Sequence, residues 1–230
     1  MTTLVTGATG RLGRPTVARL SGAGHDVRSL SRRSGPGLAT GDLLTGVGIA
    51  EALDGVDTVV NLATGPRKDD LATRTLVAAA AAARVRHLVH ISIVGIDDIP
   101  LGYYRAKLAA ERVIGGSGVP HTILRATQFH DLVVSIFAVQ RVTPVVLAPS
   151  FAVQPIAVED VAERLVEVAG SAPAGRVPDI GGPEVRRLPD LARIWQRSVG
   201  SRRPVVPLTR PPSRAQRRAA ARCSSNVIRP

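Results

Sequence analysis

Short apolar runs alternate with segments of helical periodicity along the first 130 residues, and this alternation constrains the fold more than any other feature. Strands joined by helices in that order pair in parallel and are covered on both faces, so the expected architecture is an α/β domain with a doubly wound parallel sheet. The strand candidates are Thr3 to Thr6, Asp26 to Ser31, Thr58 to Leu62, His87 to Ile93 and His121 to Arg125. Between and after them, Leu12 to Ser21, Gly48 to Leu53, Asp69 to Ala83 and Tyr104 to Ile114 have the spacing of helices. Turn chemistry marks several boundaries, notably Gly22-Ala23-Gly24 and Gly115-Gly116-Ser117-Gly118. The alanine run from Ala78 to Ala83 favours helix and close helix packing. Beyond residue 130 the pattern loosens, with helices expected over Val158 to Val168 and Pro189 to Ser198.

Composition narrows the function classes. A chain of 230 residues with 44% hydrophobic content builds one medium-sized domain with a substantial core. No apolar run is long enough to span a bilayer, and no basic-then-apolar leader opens the chain, so a cytoplasmic protein without a membrane partner is expected. The single cysteine, Cys223, excludes an intramolecular disulfide. Net charge is +12, but residues 201–230 hold eight arginines and no acid, leaving +4 for the other 200. This basic segment lacks interleaved aromatic residues, so no specific nucleic-acid partner is expected.

The turn after the first strand carries the chemistry. In Thr6-Gly7-Ala8-Thr9-Gly10-Arg11-Leu12-Gly13 three glycines recur every third position between an apolar strand and a helix. Gly7 permits a tight exit from the strand, Gly10 a close backbone approach to a pyrophosphate, and Gly13 close packing of helix on sheet. The positive end of the helix dipole then faces the phosphates. This GxxGxxG spacing with its flanking threonines resembles the short-chain dehydrogenase/reductase superfamily, especially its atypical NmrA-like, NAD(P)H-binding branch. The resemblance implies a Rossmann fold, and it covers roughly residues 3 to 207.

The end of the second strand selects between the two nicotinamide dinucleotides. Ser31-Arg32-Arg33 stands there with no carboxylate, and Asp26 lies too early to reach a ribose. A hydroxyl followed by two guanidiniums suits a 2′-phosphate, so NADP(H) is the expected cofactor. By resemblance, Asp42 and Leu43 contact the adenine ring, and Asn61-Leu62-Ala63-Thr64 lines the cofactor cleft through Ala63 and Thr64. Asp42 equally suits a turn, and Asn61 the satisfaction of buried backbone groups.

Tyr103 and Lys107 form a YxxxK pair, four residues apart and so on one helical face. In the resembled family this tyrosine exchanges a proton with the substrate, while the lysine holds the nicotinamide ribose and favours the phenolate. Ser92, near the carboxyl end of the His87 to Ile93 strand, matches the serine that polarises the substrate carbonyl. Two structural alternatives compete with these roles: Lys107 can pair with Glu111 one turn on, and the tyrosines can simply pack. His130, beside Asp131, reads as a surface or capping group.

Further likeness lies in Thr122 to Asp131, in Ile156 to Ala162 and in Gly181-Gly182-Pro183. Residues 1–208 are therefore expected to form the dinucleotide-binding domain, with a small substrate-binding portion mainly in 131–208. Residues 209–230 form a basic tail expected to pack poorly, with an isolated helix possible over Ala215 to Arg222. The expected activity is NADPH-dependent reduction of a small carbonyl, quinone or related electrophile, with the proton from Tyr103, in a monomer or homodimer. The alternative is an NmrA-like, non-catalytic sensor of NADP(H). No metal ion is expected.

Overall fold

The computed structural model describes residues 1–65, 68–98 and 102–208, together with the backbone of 227–228. Six parallel strands form the body of the sheet: β1 (Thr2–Thr6), β2 (Asp26–Ser31), β3 (Leu38–Thr40), β4 (Thr58–Asn61), β5 (His87–Ile93) and β6 (His121–Ala126). Their order across the sheet is β3-β2-β1-β4-β5-β6. The chain thus winds outward in one direction from β1 through β2 and β3, then crosses back to continue through β4. The carboxyl ends of β1 and β4 flank the switch point where ligands settle in open α/β sheets.

Alternation along each strand divides the apolar residues between two faces. Leu4, Val59, Leu88 and Ile123 point to one core, while their neighbours Val5, Val60, Val89 and Leu124 point to the other. The first face is covered by α2 (Ile49–Leu53), α3 (Asp69–Ala82) and α4 (Gly102–Gly115), through Leu53, Leu76, Ala80 and Ile114. The second is covered by α1 (Gly13–Gly22) and α6 (Val158–Gly170), through Leu20, Val161 and Leu165. Sheet strands with both faces buried need apolar residues at every position, which explains their continuous apolar runs. The small residues Ala79 and Ala80 belong to the α3 face of this core, and α3 packs along α4 as the alanine run requires.

A third cluster gathers after residue 130. Val133 and Phe137 of α5 (His130–Ala138) pack on Val146 and Ala148 of β7 (Val146–Pro149) and on Leu188 and Ala192 of α7 (Leu188–Ser198). Phe137 and Trp195 lie 5.9 Å apart between ring centroids. Short strands complete this portion: β8 (Ala152–Val153) pairs with β11 (Arg186–Arg187), and β7 with β12 (Val205–Leu208). On the outer side of β6 lie β9 (Gly175–Arg176) and β10 (Asp179–Ile180). The backbone of β13 (Val227–Ile228) runs parallel to β10 at that edge. The rest of the basic tail, including Ala215 to Arg222 and Cys223, lies outside the described residues. No helix among the described residues is long and apolar enough to cross a membrane.

Candidate active site

The glycine turn has the backbone that its sequence requires. Gly7 has φ +66°, and a Cβ there would lie 2.9 Å from the Leu62 carbonyl and the Ala63 nitrogen. Gly10 donates to the Gly7 carbonyl at 2.9 Å. A Cβ on Gly13 would lie 2.6 Å from the Ala8 carbonyl oxygen, so α1 starts closer to the strand exit than any other residue permits. No side chain caps α1 at Leu12, and no acid stands in its first turn. Thr9, Gly10 and Arg11 are exposed, whereas Leu12 is buried in the core. The uncapped N–H groups and the glycine cradle fit the pyrophosphate of a dinucleotide. Thr6 is buried, with its hydroxyl engaged inside the protein. It donates to Asn61 Oδ1 at 2.7 Å and accepts from the Leu62 and Ala63 N–H groups, tying the β1 turn to the β4 turn.

At the carboxyl end of β2, Ser31 is buried and its Oγ accepts from the Arg33 N–H at 3.0 Å, which folds the chain sharply there. Arg32 and Arg33 are exposed, and neither guanidinium is engaged by another side chain among the described residues. Arg28 differs, donating to the Ala52 and Asp54 carbonyls at 2.8 Å and closing the end of α2. Asp42 makes the turn its sequence also allowed, with Oδ1 accepting from the Leu44 N–H at 2.8 Å. The Leu43 side chain packs into the core with Leu30 and Ile49.

Ser92, Tyr103 and Lys107 sit at the carboxyl side of the central strands. Ser92 is 3% exposed, and its Oγ has no hydrogen-bond partner among the described residues. Thr127 Oγ1, just beyond β6, is likewise buried without a partner among the described residues. Tyr103 is 36% exposed and stacks edge-on against Tyr104, with its Oη 3.2 Å from Thr64 Oγ1. Lys107 is buried. Its ammonium does not meet Glu111; it lies 3.0 Å from Asp69 Oδ2, in the first turn of α3. Thr64 Oγ1 donates to the same oxygen at 2.9 Å, and the Gly65 N–H donates to Asp69 Oδ1.

Glu111 turns instead to Arg125 on β6. The guanidinium donates to Glu111 Oε1 at 2.8 Å and Oε2 at 2.6 Å, and to Asp97 Oδ2 at 2.6 Å. Burial opposes its charge, but the Glu111 and Asp97 carboxylates outweigh that penalty and raise its pKa. The cluster ties α4 and the loop after β5 to β6.

His90 on β5 is also buried, with Asn61 Nδ2 3.1 Å from its Nδ1. Desolvation, reinforced by the nearby Lys107 cation, lowers its pKa to about 3, so the ring stays neutral. Sequence reasoning missed Asp69, His90 and the Arg125 cluster. For His90 and Arg125 the available signal was a polar residue inside an apolar strand, whereas Asp69, at the start of α3, gave none. His130 begins α5 on the surface, while neighbouring Asp131 meets Arg11 at 3.1 Å. These residues line a cavity of about 360 Å³ where α1, α5 and α6 begin.

Residues 7–172 match the sequence model of the NAD(P)H-binding family. The chain is 34% identical over 215 residues to (4-alkanoyl-5-oxo-2,5-dihydrofuran-3-yl)methyl phosphate reductase of Streptomyces griseus, covering 85% of this chain and 74% of that protein. It is 30% identical over 160 residues to photosystem II assembly factor Ycf39 of Trieres chinensis, covering 60% of this chain and 49% of that protein. In fold it is similar to the NADPH complex of the Escherichia coli NADPH-dependent quinone oxidoreductase QOR2. That likeness has a TM-score of 0.78 at 20% identity, over 97% of this chain and 83% of the other. The Citrobacter sp. triphenylmethane reductase with NADP(H) matches at TM-score 0.77 and 19% identity, over 97% and 89%.

Proposed function

This chain belongs to the NAD(P)H-binding family, and from that membership we propose that it is an NADPH-dependent reductase of a small carbonyl, quinone or related electrophile. The observation that carries the proposal is the Ser92 hydroxyl, buried near the carboxyl end of β5 and without a hydrogen-bond partner among the described residues. A buried hydroxyl in that condition has an unmet hydrogen-bond demand, which a substrate oxygen answers. The S. griseus relative, named as a reductase, supports the reaction class.

The residues divide the work. N–H groups at the start of α1 receive the pyrophosphate, within a cradle lined by Thr9, Gly10 and Arg11. Arg32 and Arg33 pair with the 2′-phosphate, and Asp42 and Leu43 border the adenine. Ala63 and Thr64 line the cleft between the β1 and β4 turns. Lys107 has three N–H donors, so its bond to Asp69 leaves donors for ribose hydroxyls. Ser92 orients the substrate oxygen, and Tyr103 gives that oxygen its proton. Bound NADPH supplies the hydride.

Calorimetry with NADPH, NADP⁺ and NADH tests the cofactor, and absence of binding by all three rejects the proposal. Arg32→Ala with Arg33→Ala is expected to weaken NADPH binding about tenfold or more while leaving NADH unchanged. NADPH oxidation over a panel of quinones, aldehydes and ketones tests catalysis. Tyr103→Phe is expected to lower turnover by about two orders of magnitude, and unchanged turnover removes Tyr103 from the reaction. The second reading is a non-catalytic NADP(H) sensor, supported only by similarity to a protein named as an assembly factor and not as a reductase. Tight NADPH binding with no turnover of any electrophile in the panel would select it.

A further inference from the structure

Polar atoms run inward from the Tyr103 phenol in a continuous chain. Tyr103 Oη lies 3.2 Å from Thr64 Oγ1, and Thr64 Oγ1 lies 2.9 Å from Asp69 Oδ2. That carboxylate oxygen is also 3.0 Å from the buried Lys107 ammonium, while Asp69 Oδ1 takes the Gly65 N–H. A threonine hydroxyl has one proton to give, and a carboxylate paired with an ammonium can only accept. A bond to a charged acceptor is stronger than one between neutral hydroxyls, so the Thr64 proton goes to Asp69. Thr64 then presents a lone pair to Tyr103, and the Tyr103 proton points at Thr64.

Resting on the reading of Tyr103 as the proton donor, the geometry points to Thr64 as a positioning residue that, oriented by Asp69, holds the Tyr103 hydroxyl in place beside the cleft by accepting its hydrogen bond. This role differs from contact with the cofactor, the other use of Thr64. During reduction the Tyr103 O–H swings from Thr64 to the substrate oxygen, and the bond breaks as that oxygen gains the proton and the substrate carbon gains a hydride from NADPH. No proton passes through Thr64. Its hydroxyl turns from Asp69 to the new phenolate, Asp69 keeps its bonds to Lys107 and Gly65, and solvent later returns a proton to Tyr103.

The test pairs Thr64→Val, which keeps the shape and removes the hydroxyl, with Thr64→Ser, which restores it. Thr64→Val is expected to lower kcat about tenfold with the NADPH Kd held within about twofold, and Thr64→Ser to recover most of the loss. The chain has only two tyrosines, Tyr103 and Tyr104, so carbon-13 labelling at tyrosine Cζ gives two signals, assigned with Tyr103→Phe. The Tyr103 signal is expected to move in Thr64→Val and return in Thr64→Ser. A parallel loss of NADPH affinity would make Thr64 a cofactor contact and overturn the inference, as would a Tyr103 signal that does not move. If the wild-type protein turns over no electrophile, the reductase reading fails, whereas the Cζ signal still decides whether Thr64 holds Tyr103.

Discussion

The ion pair between Lys107 and Asp69 gives the sharpest test of how the site is held, because both side chains are 4% exposed. Removing one partner leaves the other charge buried. Lys107→Met strands the Asp69 carboxylate with, among the described residues, only the Thr64 hydroxyl and the Gly65 N–H as donors. Breaking a buried pair in this way costs about 3–5 kcal/mol, and in a chain of this length each kcal/mol lowers Tm by about 2–4 °C. Asp69→Asn keeps an acceptor for only one of Thr64 and Gly65, which bond different carboxylate oxygens, and it strands the ammonium, so a loss of similar size is expected. The double variant has no stranded charge. It is expected to lose less than the two single losses combined, with a coupling of about 2 kcal/mol or more. Urea unfolding of all four proteins measures the cycle at constant pH and salt. Additivity within about 0.5 kcal/mol would refute the buried pair.

Two further predictions concern the turn and the interior of the sheet. Gly13→Ala drives a methyl group against the Ala8 carbonyl; it is expected to cost about 1–3 kcal/mol of stability and about tenfold or more in NADPH affinity. Calorimetry and urea unfolding measure the two losses, and an unchanged affinity would remove Gly13 from the cradle. His90 makes stability depend on pH, since its folded pKa of about 3 lies below the ordinary value of 6.5. The unfolded chain binds the extra proton, so the His90 contribution is whole above pH 6.5 and declines as pH falls towards 3. The decline is about 1.4 kcal/mol per pH unit. Urea unfolding between about pH 6 and about pH 4 is expected to approach this slope, reduced in His90→Gln; equal slopes in the two proteins would refute it.

Legibility of the fold follows burial. Strands β2 and β5 have the bounds that their apolar runs predict, and β1, β4 and β6 differ by a single residue. The three residues of β3 have no run to read. They follow Ser34-Gly35-Pro36-Gly37, and Leu38–Thr40 is a strand only because it pairs with Ser29–Ser31. Helix α5 was hidden for the opposite reason. His130–Ala138 is apolar almost all round, so no helical stripe stands out, although only Val133 and Phe137 are buried. Within the site, the glycine turn and the YxxxK spacing are local patterns and could be read directly. The partner of Lys107 could not. Asp69 comes 38 residues earlier on another helix, and only packing of α3 along α4 brings the two charges together.

Helix α4 shows why those charges matter beyond stability. Its buried positions are Lys107, Ala110, Glu111 and Ile114, a helical stripe with charges at two of its four places. Apolar residues alone would let the helix settle at neighbouring registers, because Ala110 and Ile114 offer little shape to distinguish them. Lys107 must meet Asp69 of α3, whereas Glu111 must meet Arg125 of β6. A slip of one helical turn would carry one of these charges towards the other's partner, setting Lys107 towards Arg125 or Glu111 towards Asp69. Either arrangement brings like charges together in the interior, where water cannot screen them. The two ion clusters therefore select a single register for α4, and with it the place of Tyr103, one turn before Lys107. Replacing both clusters with apolar side chains of similar volume is expected to preserve stability while loosening that register. Such a protein would unfold at a similar urea concentration and yet give a broadened or doubled Tyr103 Cζ signal, whereas a single sharp signal would mean that apolar packing alone sets the register.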